Sequence, residues 1–265
     1  MDAGQPQTSE FLVSWRDGPA AYLRLERPHK ANSYTQPMLQ VLAAAVERAA
    51  SDADVRVLVI TGAGDRNFCG GADLGEIADR DWNAPLNLKS AEVFTIVSRF
   101  PRVTLAAVNG AAVGGGLELA LACDLRIASV NARFWLPEPL LGLIPAAGGT
   151  QRLQQVVGKA KAKELILGGA VWGADEALRL GLVSEVATAE NLMLRAKAWV
   201  DQIARRDPLA LQLAKKAIDL ESPGNAGFGF ESLAQTLLER LRLSERQRLS
   251  EGQRSKPESG ISNPP

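Results

Sequence analysis

Apolar and polar positions change their spacing several times along this chain, and each change predicts a different element. The segment Phe11 to Glu26, FLVSWRDGPAAYLRLE, predicts two strands joined by a turn at Asp17-Gly18-Pro19. The break at Arg27-Pro28 leads through Asn32 or Ser33 into a helix from about Gln36 to Ala50. On that helix Leu39, Leu42, Val46 and Ala49 recur at the 3.6-residue period. Val55 to Thr61, VRVLVIT, is a β-branched run closed by Gly62 and Gly64, which predicts a strand buried on both faces.

Ile77 to Leu88 is polar and irregular and reads as a mobile loop, followed by a helix from Lys89 to Ser98. Thr104 to Val108 predicts a strand, Gly114 to Ala122 a helix, and Asp124 to Ala128 another strand, with Phe134 and Trp135 on a further short one. Strands alternating with crossover helices favour a layered α/β core with parallel strands. After Gly148 the pattern is helical: Gly149 to Val156, Ala160 to Leu167, Ala174 to Leu180, Ala189 to Arg205, Pro208 to Leu220, and Phe230 to about Arg248. The closing GQRSKPESGISNPP is polar and rich in Pro, Gly and Ser, the composition of a disordered tail.

Composition narrows the function. The chain has 265 residues, 46% apolar and 23% charged, with a formal net charge of zero. That balance suits a globular protein and disfavours nucleic-acid binding through a broad basic face. Its two cysteines, Cys69 and Cys123, lie in apolar segments and read as reduced thiols of a cytosol-like compartment. A single histidine, His29, makes a zinc site or a Ser–His or Cys–His system an unpromising expectation. The longest apolar stretch, Val103 to Ala122, is interrupted by Asn109, Glu118 and four glycines, so no membrane span is expected there. The N-terminus lacks the basic-then-apolar pattern of a secretory signal.

The candidate chemistry gathers around glycine-bearing turns. Gly114-Gly115-Gly116 stands where a strand passes into a helix, so these glycines either present N–H donors to an anionic oxygen or serve only close packing. A second turn, Gly70-Gly71-Ala72, follows an apolar run, and Asp73 after it is expected to cap a short helix at Leu74 to Ala78. Glu118, in LELALA, has no Lys or Arg within one helical turn; it is either a solvated glutamate or a buried one of raised proton affinity. Glu138 stands between Pro137 and Pro139, either in a surface turn or with its carboxylate aimed by the two prolines. N–H donors aimed at one point stabilise an oxyanion, and two nearby carboxylates move protons on either side of an activated carbon.

Together these motifs resemble the enoyl-CoA hydratase/isomerase (crotonase) superfamily. The likeness runs from about Phe11 to Leu220 and is carried by RLERPHKANSYT, VRVLVITGAGDRNFCGGADL, AAVNGAAVGGGLELALACDLRIAS, FWLPEPLLGLIPAAGGTQRL and GADEALRLGLVSEV. The resemblance implies an α/β fold, a spiral of β-β-α units over residues 1–200 with a helical trimerisation region over 201–252 and a tail at 253–265. It implies an acyl-CoA substrate, a homotrimer or dimer of trimers, and no metal or cofactor beyond the CoA of the substrate. The thioester oxygen would be held by the N–H groups of Ala72 and Gly115. Glu118 would activate the water that adds at C3, and Glu138 would exchange the proton at C2. Lys30 and Ala31 match the adenine pocket, and Arg27 approaches the CoA phosphates. Gly70, Asp73, Leu74, Trp82, Gly114, Trp135, Pro137 and Gly142 fall around the thioester and acyl group. The segment LSERQRLSEGQRSKPESG matches the family's ending only loosely. The expected activity is hydration or dehydration of an enoyl-CoA in the cytoplasm. Isomerase or decarboxylase chemistry in a biosynthetic pathway is the alternative. A non-catalytic or RNA-binding relative is the reading from another class, against which the neutral charge and the two glutamates both speak.

Overall fold

A computed structural model describes residues 6–78, 88–220, 230–231 and 233–241. By internal contacts the chain divides into one compact unit, Met1–Arg206, and a second, Asp207–Pro265. Trp82 and the segment from Leu243 onward lie outside the described residues.

The first unit is built on two sheets. Its elements in order are β1 (Gln7–Thr8), β2 (Leu12–Asp17), β3 (Ala20–Leu25), α1 (Gln36–Ser51), β4 (Val57–Gly62), β5 (Asn67–Cys69), α2 (Leu74–Ala78) and α3 (Lys89–Ser98). Then follow β6 (Val103–Val108), β7 (Ala111–Val113), α4 (Gly115–Leu121), β8 (Leu125–Ser129), β9 (Arg133–Trp135) and α5 (Gly149–Ile166). The unit closes with β10 (Trp172–Gly173), α6 (Ala174–Arg179), β11 (Glu185–Ala187) and α7 (Leu192–Ala204). The larger sheet has the order β1-β2-β3-β4-β6-β8-β11 and the smaller one β10-β9-β7-β5. In the larger sheet β1, β2 and β3 pair antiparallel, and every pairing from β3 onward is parallel. In the smaller sheet β5, β7 and β9 are mutually parallel.

The chain therefore visits the large sheet, then the small one, then a helix, three times over: β4-β5-α2, β6-β7-α4 and β8-β9-α5. This is the spiral of β-β-α units that the resemblance implied. The reason is visible in the side chains: all six residues of β4 are buried, so this strand has no solvent face and needs layers on both sides. Phe68, Phe94, Phe100 and Phe134 fill the space between sheets and helices with almost no exposure. Met38, Leu39, Leu42, Val46 and Ala49 line the buried stripe of α1.

Two buried asparagines support the passage between the sheets. Asn32 Nδ2 donates to the carbonyls of Ala63 (2.9 Å) and Asn67 (2.8 Å). Asn109 Nδ2 donates to Gly64 (2.8 Å) and Asn67 (3.1 Å), while its Oδ1 accepts from Gly62 N–H at 3.0 Å. Backbone groups between β4 and β5 have no ladder to join, and these amides satisfy them.

The N-cap of α1 is Thr35, whose hydroxyl accepts from Met38 N–H, while Asn32 is withdrawn from solvent to serve the β4–β5 connection. The span Gly149–Ile166 holds two helical stretches that meet at a kink at Gly158 (φ 78°, ψ 158°), in keeping with the two helices expected across Gly149 to Leu167. The start of the last helix of the unit differs from the sequence reading: it begins at Leu192, three residues after the expected Ala189. In the second unit, α8 (Pro208–Ile218) starts at Asp207, whose Oδ1 accepts from Ala210 N–H at 2.8 Å. Residues 230–231 and 233–241 are helical. Among the described residues no helix is long and apolar enough to cross a membrane.

Candidate active site

Three adjacent parallel strands of the small sheet deliver the site. Gly70-Gly71-Ala72 follows β5, Gly114-Gly115 follows β7, and Pro137-Glu138 follows β9. Because β5, β7 and β9 run the same way, their carboxyl ends open at one edge, where α/β proteins bind their ligands. The pairing of Val113 with Trp135 continues in the hydrogen bond from Gly114 N–H to Trp135 C=O at 3.0 Å. That register brings Glu138 beside Gly114: a Cβ on Gly114 would lie 2.8 Å from Glu138 Oε1.

The two turns also meet each other. Gly71 has φ +87°, and a Cβ there would sit 2.9 Å from Val113 C=O and 3.2 Å from Gly115 N. Only glycine tolerates both the backbone conformation and the approach. Tyr34 fixes the direction of Ala72: Tyr34 N–H donates to Gly71 C=O (2.8 Å) and Asp73 N–H donates to Tyr34 C=O (2.9 Å). In this parallel bridge the intervening Ala72 N–H faces away from Tyr34. Among the described residues Ala72 N–H donates to no backbone carbonyl. The Tyr34 ring also lies against the Cα of Gly115 and meets Phe94 edge-on, 5.7 Å between centroids. Burial pushes the Tyr34 phenol well above its ordinary pKa, so it stays neutral, with Ser90 as a hydrogen-bonding neighbour.

Glu118, on α4, is only 3% exposed. Its Oε1 accepts from the N–H groups of Ala147 and Gly149, each at 2.7 Å. Burial raises its pKa above the ordinary carboxylate value, and those two N–H donors and the Arg152 guanidinium pull it back. Glu138 opens a 3-10 turn, Glu138–Leu141, which Gly142 closes in the left-handed conformation. Its Oε2 is shielded from solvent, and among the described residues no hydrogen-bonding partner reaches it. Burial, with the Glu118 carboxylate adding like charge, raises its pKa to about 7. The two carboxyls thus share one site, one held by N–H donors and the other poised near neutrality.

The other expected residues are arranged around this centre. Asp73 Oδ1 accepts from Gly75 N–H at 3.0 Å, starting α2 as anticipated, and Leu74 beside it is exposed. The Asp73 carboxyl is held below its usual range, chiefly by that N–H and also by Arg27. Arg27 turns inward, Nη1 donating to Ser33 C=O (2.6 Å) and Nη2 to Asp73 Oδ2 (3.1 Å). Lys30 ends the 3-10 turn Pro28–Lys30 in solvent, and Ala31 follows it at φ 54° with its C=O accepting from Gly70 N–H at 2.9 Å. Trp135 and Pro137 are half-buried at the end of β9. Sequence reasoning had not singled out Tyr34, Ala147, Gly149 or Arg152. The motif GGTQRL carries the last two, but the tertiary approach of Arg152 to Glu118 left no local signal.

Residues 17–252 match the profile of a family described as enoyl-CoA hydratase/isomerase. The 2,3-dehydroadipyl-CoA hydratase of Escherichia coli (strain K12) is 42% identical over 232 residues, covering 87% of this chain and 90% of that protein. The crotonyl-CoA hydratase of Syntrophomonas wolfei is 38% identical over 214 residues, 78% of this chain and 81% of that one. Among solved structures, an enoyl-CoA hydratase from Bacillus anthracis superposes with a TM-score of 0.81 at 34% identity, covering 91% of this chain and 96% of that one. Sequence profile, relatives and fold agree, and the chain belongs to the enoyl-CoA hydratase/isomerase family.

Proposed function

We propose that this protein is an acyl-CoA hydratase that adds water across, or removes it from, the C2–C3 bond of an enoyl-CoA thioester. The observation that carries this reading is the pair of shielded carboxyls, Glu118 and Glu138, of raised proton affinity beside the Gly71 and Gly114-Gly115 turns. Hydratases among the relatives support it. A double-bond isomerase needs one carboxylate to carry a proton, whereas hydration uses two.

In this reading the N–H groups of Ala72 and Gly115 receive the thioester oxygen and stabilise the enolate-like charge that develops on it. Losing one such donor costs about 3–4 kcal/mol of barrier. Glu118, its Oε1 fixed by two N–H groups, takes the proton of the water whose oxygen bonds to C3. Glu138, with a pKa near 7, delivers the proton to C2; dehydration runs the same transfers backward. Apart from the CoA of the substrate, the scheme uses no cofactor. Lys30 and Ala31 line the adenine end. The Arg27 guanidinium, tied to Asp73 and to Ser33 C=O, supports the Ala72 turn in place of the expected approach to the CoA phosphates. A homotrimer or dimer of trimers in the cytoplasm completes the proposal; sedimentation analysis tests the assembly.

The experiment is turnover of crotonyl-CoA and 2,3-dehydroadipyl-CoA, followed as loss of the conjugated-thioester absorbance. The reading predicts hydration by the wild type and its collapse in Glu118→Gln and Glu138→Gln. Absence of turnover on a panel of enoyl thioesters, with both variants behaving as the wild type, contradicts it.

A further inference from the structure

Glu118 has no basic neighbour on its own helix, yet its carboxylate is backed by a cation from another. Arg152, in the first turn of α5, folds back so that Nη1 donates to Ala147 C=O at 2.9 Å. Its Nη2 reaches Ser98 Oγ of α3 at 3.5 Å, and its head lies over Gly148. Ala147 thus accepts from Arg152 through its carbonyl and donates to Glu118 through its amide. Gly149, on the other side of the same turn, donates to the same oxygen. A Cβ on Gly149 would approach Glu118 Oε1 to 2.9 Å, so the turn and the carboxylate are packed as one piece.

Arg152 of α5, Glu138 of the turn after β9 and Tyr34 of the segment before α1 each act on this carboxylate. Cys123, which follows α4, lies beside Arg152 and also beside Arg126 of β8, whose Nη1 donates to the carbonyls of Ala120 and Cys123. Among the described residues Arg152 is the cation whose charge acts on Glu118. We propose that Arg152 is a positioning residue for Glu118, clamping the Ala147–Gly149 turn and placing a positive charge behind this buried carboxylate. The catalytic meaning of this arrangement rests on the two-glutamate reading above. Its effect on Glu118 itself does not.

An arginine with only a structural duty would act through its hydrogen bonds, and a neutral donor would replace it. The test therefore compares Arg152→Gln and Arg152→Met, which are neutral, with Arg152→Lys, which keeps the charge. Two readouts are taken for each: the pH profile of kcat/KM with crotonyl-CoA, and the infrared carboxyl titration of Glu118, isolated as the difference from the same background carrying Glu118→Gln. Losing the cation is expected to move the acid limb and the infrared midpoint upward by about one pH unit. It should lower kcat about tenfold or more while KM changes little. Arg152→Lys should stay near the wild type in both. Having two neutral variants guards against one that does not fold. If a folded neutral variant keeps the wild-type midpoint and acid limb, the inference is overturned, even where its thermal stability has dropped. If the wild type turns over no enoyl thioester, the hydratase reading fails, and the infrared midpoint still decides the role of Arg152.

Discussion

At neutral pH the Glu138 carboxyl is balanced between its acid and base forms, because burial and the neighbouring Glu118 raise its pKa from 4.5 to about 7. The folded state holds this proton more tightly than the unfolded chain, so the linkage has a definite sign. The contribution to stability is fully present below about pH 4.5 and is lost as the pH rises through 7. Glu138→Gln is therefore expected to stabilise the fold by about 1–3 kcal/mol near pH 8 and far less near pH 4, read from urea unfolding at both pH values. The same substitution should lower hydration by about 10²–10⁴-fold, a gain in stability at the expense of chemistry. A second expectation concerns Gly149, where an alanine Cβ would meet Glu118 Oε1 at 2.9 Å. Gly149→Ala should cut kcat about 10²-fold through misplacement of the base, while the affinity for CoA itself, measured by calorimetry, stays near wild type. Both glutamates and both glycine turns were legible as residues, since carboxylates stranded among apolar neighbours are unusual. Tyr34 was not, because its backbone and ring act on Ala72 and Gly115 from 38 and 81 positions away in the chain.

Among the elements, the long ones announced themselves, as did the short helix α2 and the strand β9, whereas β5 and β7 did not. The helix at Lys89–Ser98 and the hairpin of β2 and β3 follow directly from apolar spacing and a Gly-Pro turn. β5 and β7, three residues each, are too short for any period to register, and β7 sits between glycines that read as a turn. Yet these two strands form the edge that carries the site, so the second sheet was invisible where it mattered most. The passage between sheets gives an element-scale prediction. Asn109→Ala would leave Gly62 N–H and Gly64 C=O without their partner, costing about 2–4 kcal/mol in chemical denaturation. Asn32 and Asn109 both donate to Asn67 C=O, so each covers that acceptor when the other is removed. The double alanine variant should then lose about 0.5–2 kcal/mol more than the sum of the single losses. Strict additivity would show that the shared carbonyl is not a point of coupling.

For the molecule as a whole, the parallel strands of the smaller sheet turn distant sequence motifs into one site. Residues near positions 72, 115, 118 and 138 are neighbours because β5, β7 and β9 end together, and the turn before α5 closes over Glu118. Alternating strands and helices were enough to foresee layers and parallel pairing. The division of strands between two sheets was foreseen only through the family resemblance. The pH profile should express the whole site: activity rises as Glu118 ionises and falls as Glu138 loses its proton near pH 7 in the hydration direction. The most direct measurement is a crystal structure of the protein with a bound, slowly reacting enoyl-CoA thioester. The account predicts the thioester oxygen within about 2.7–3.1 Å of both Ala72 N and Gly115 N, with the Glu118 and Glu138 carboxyls reaching C3 and C2. A thioester oxygen bound away from either amide, or a C2–C3 bond out of reach of either carboxyl, would contradict it.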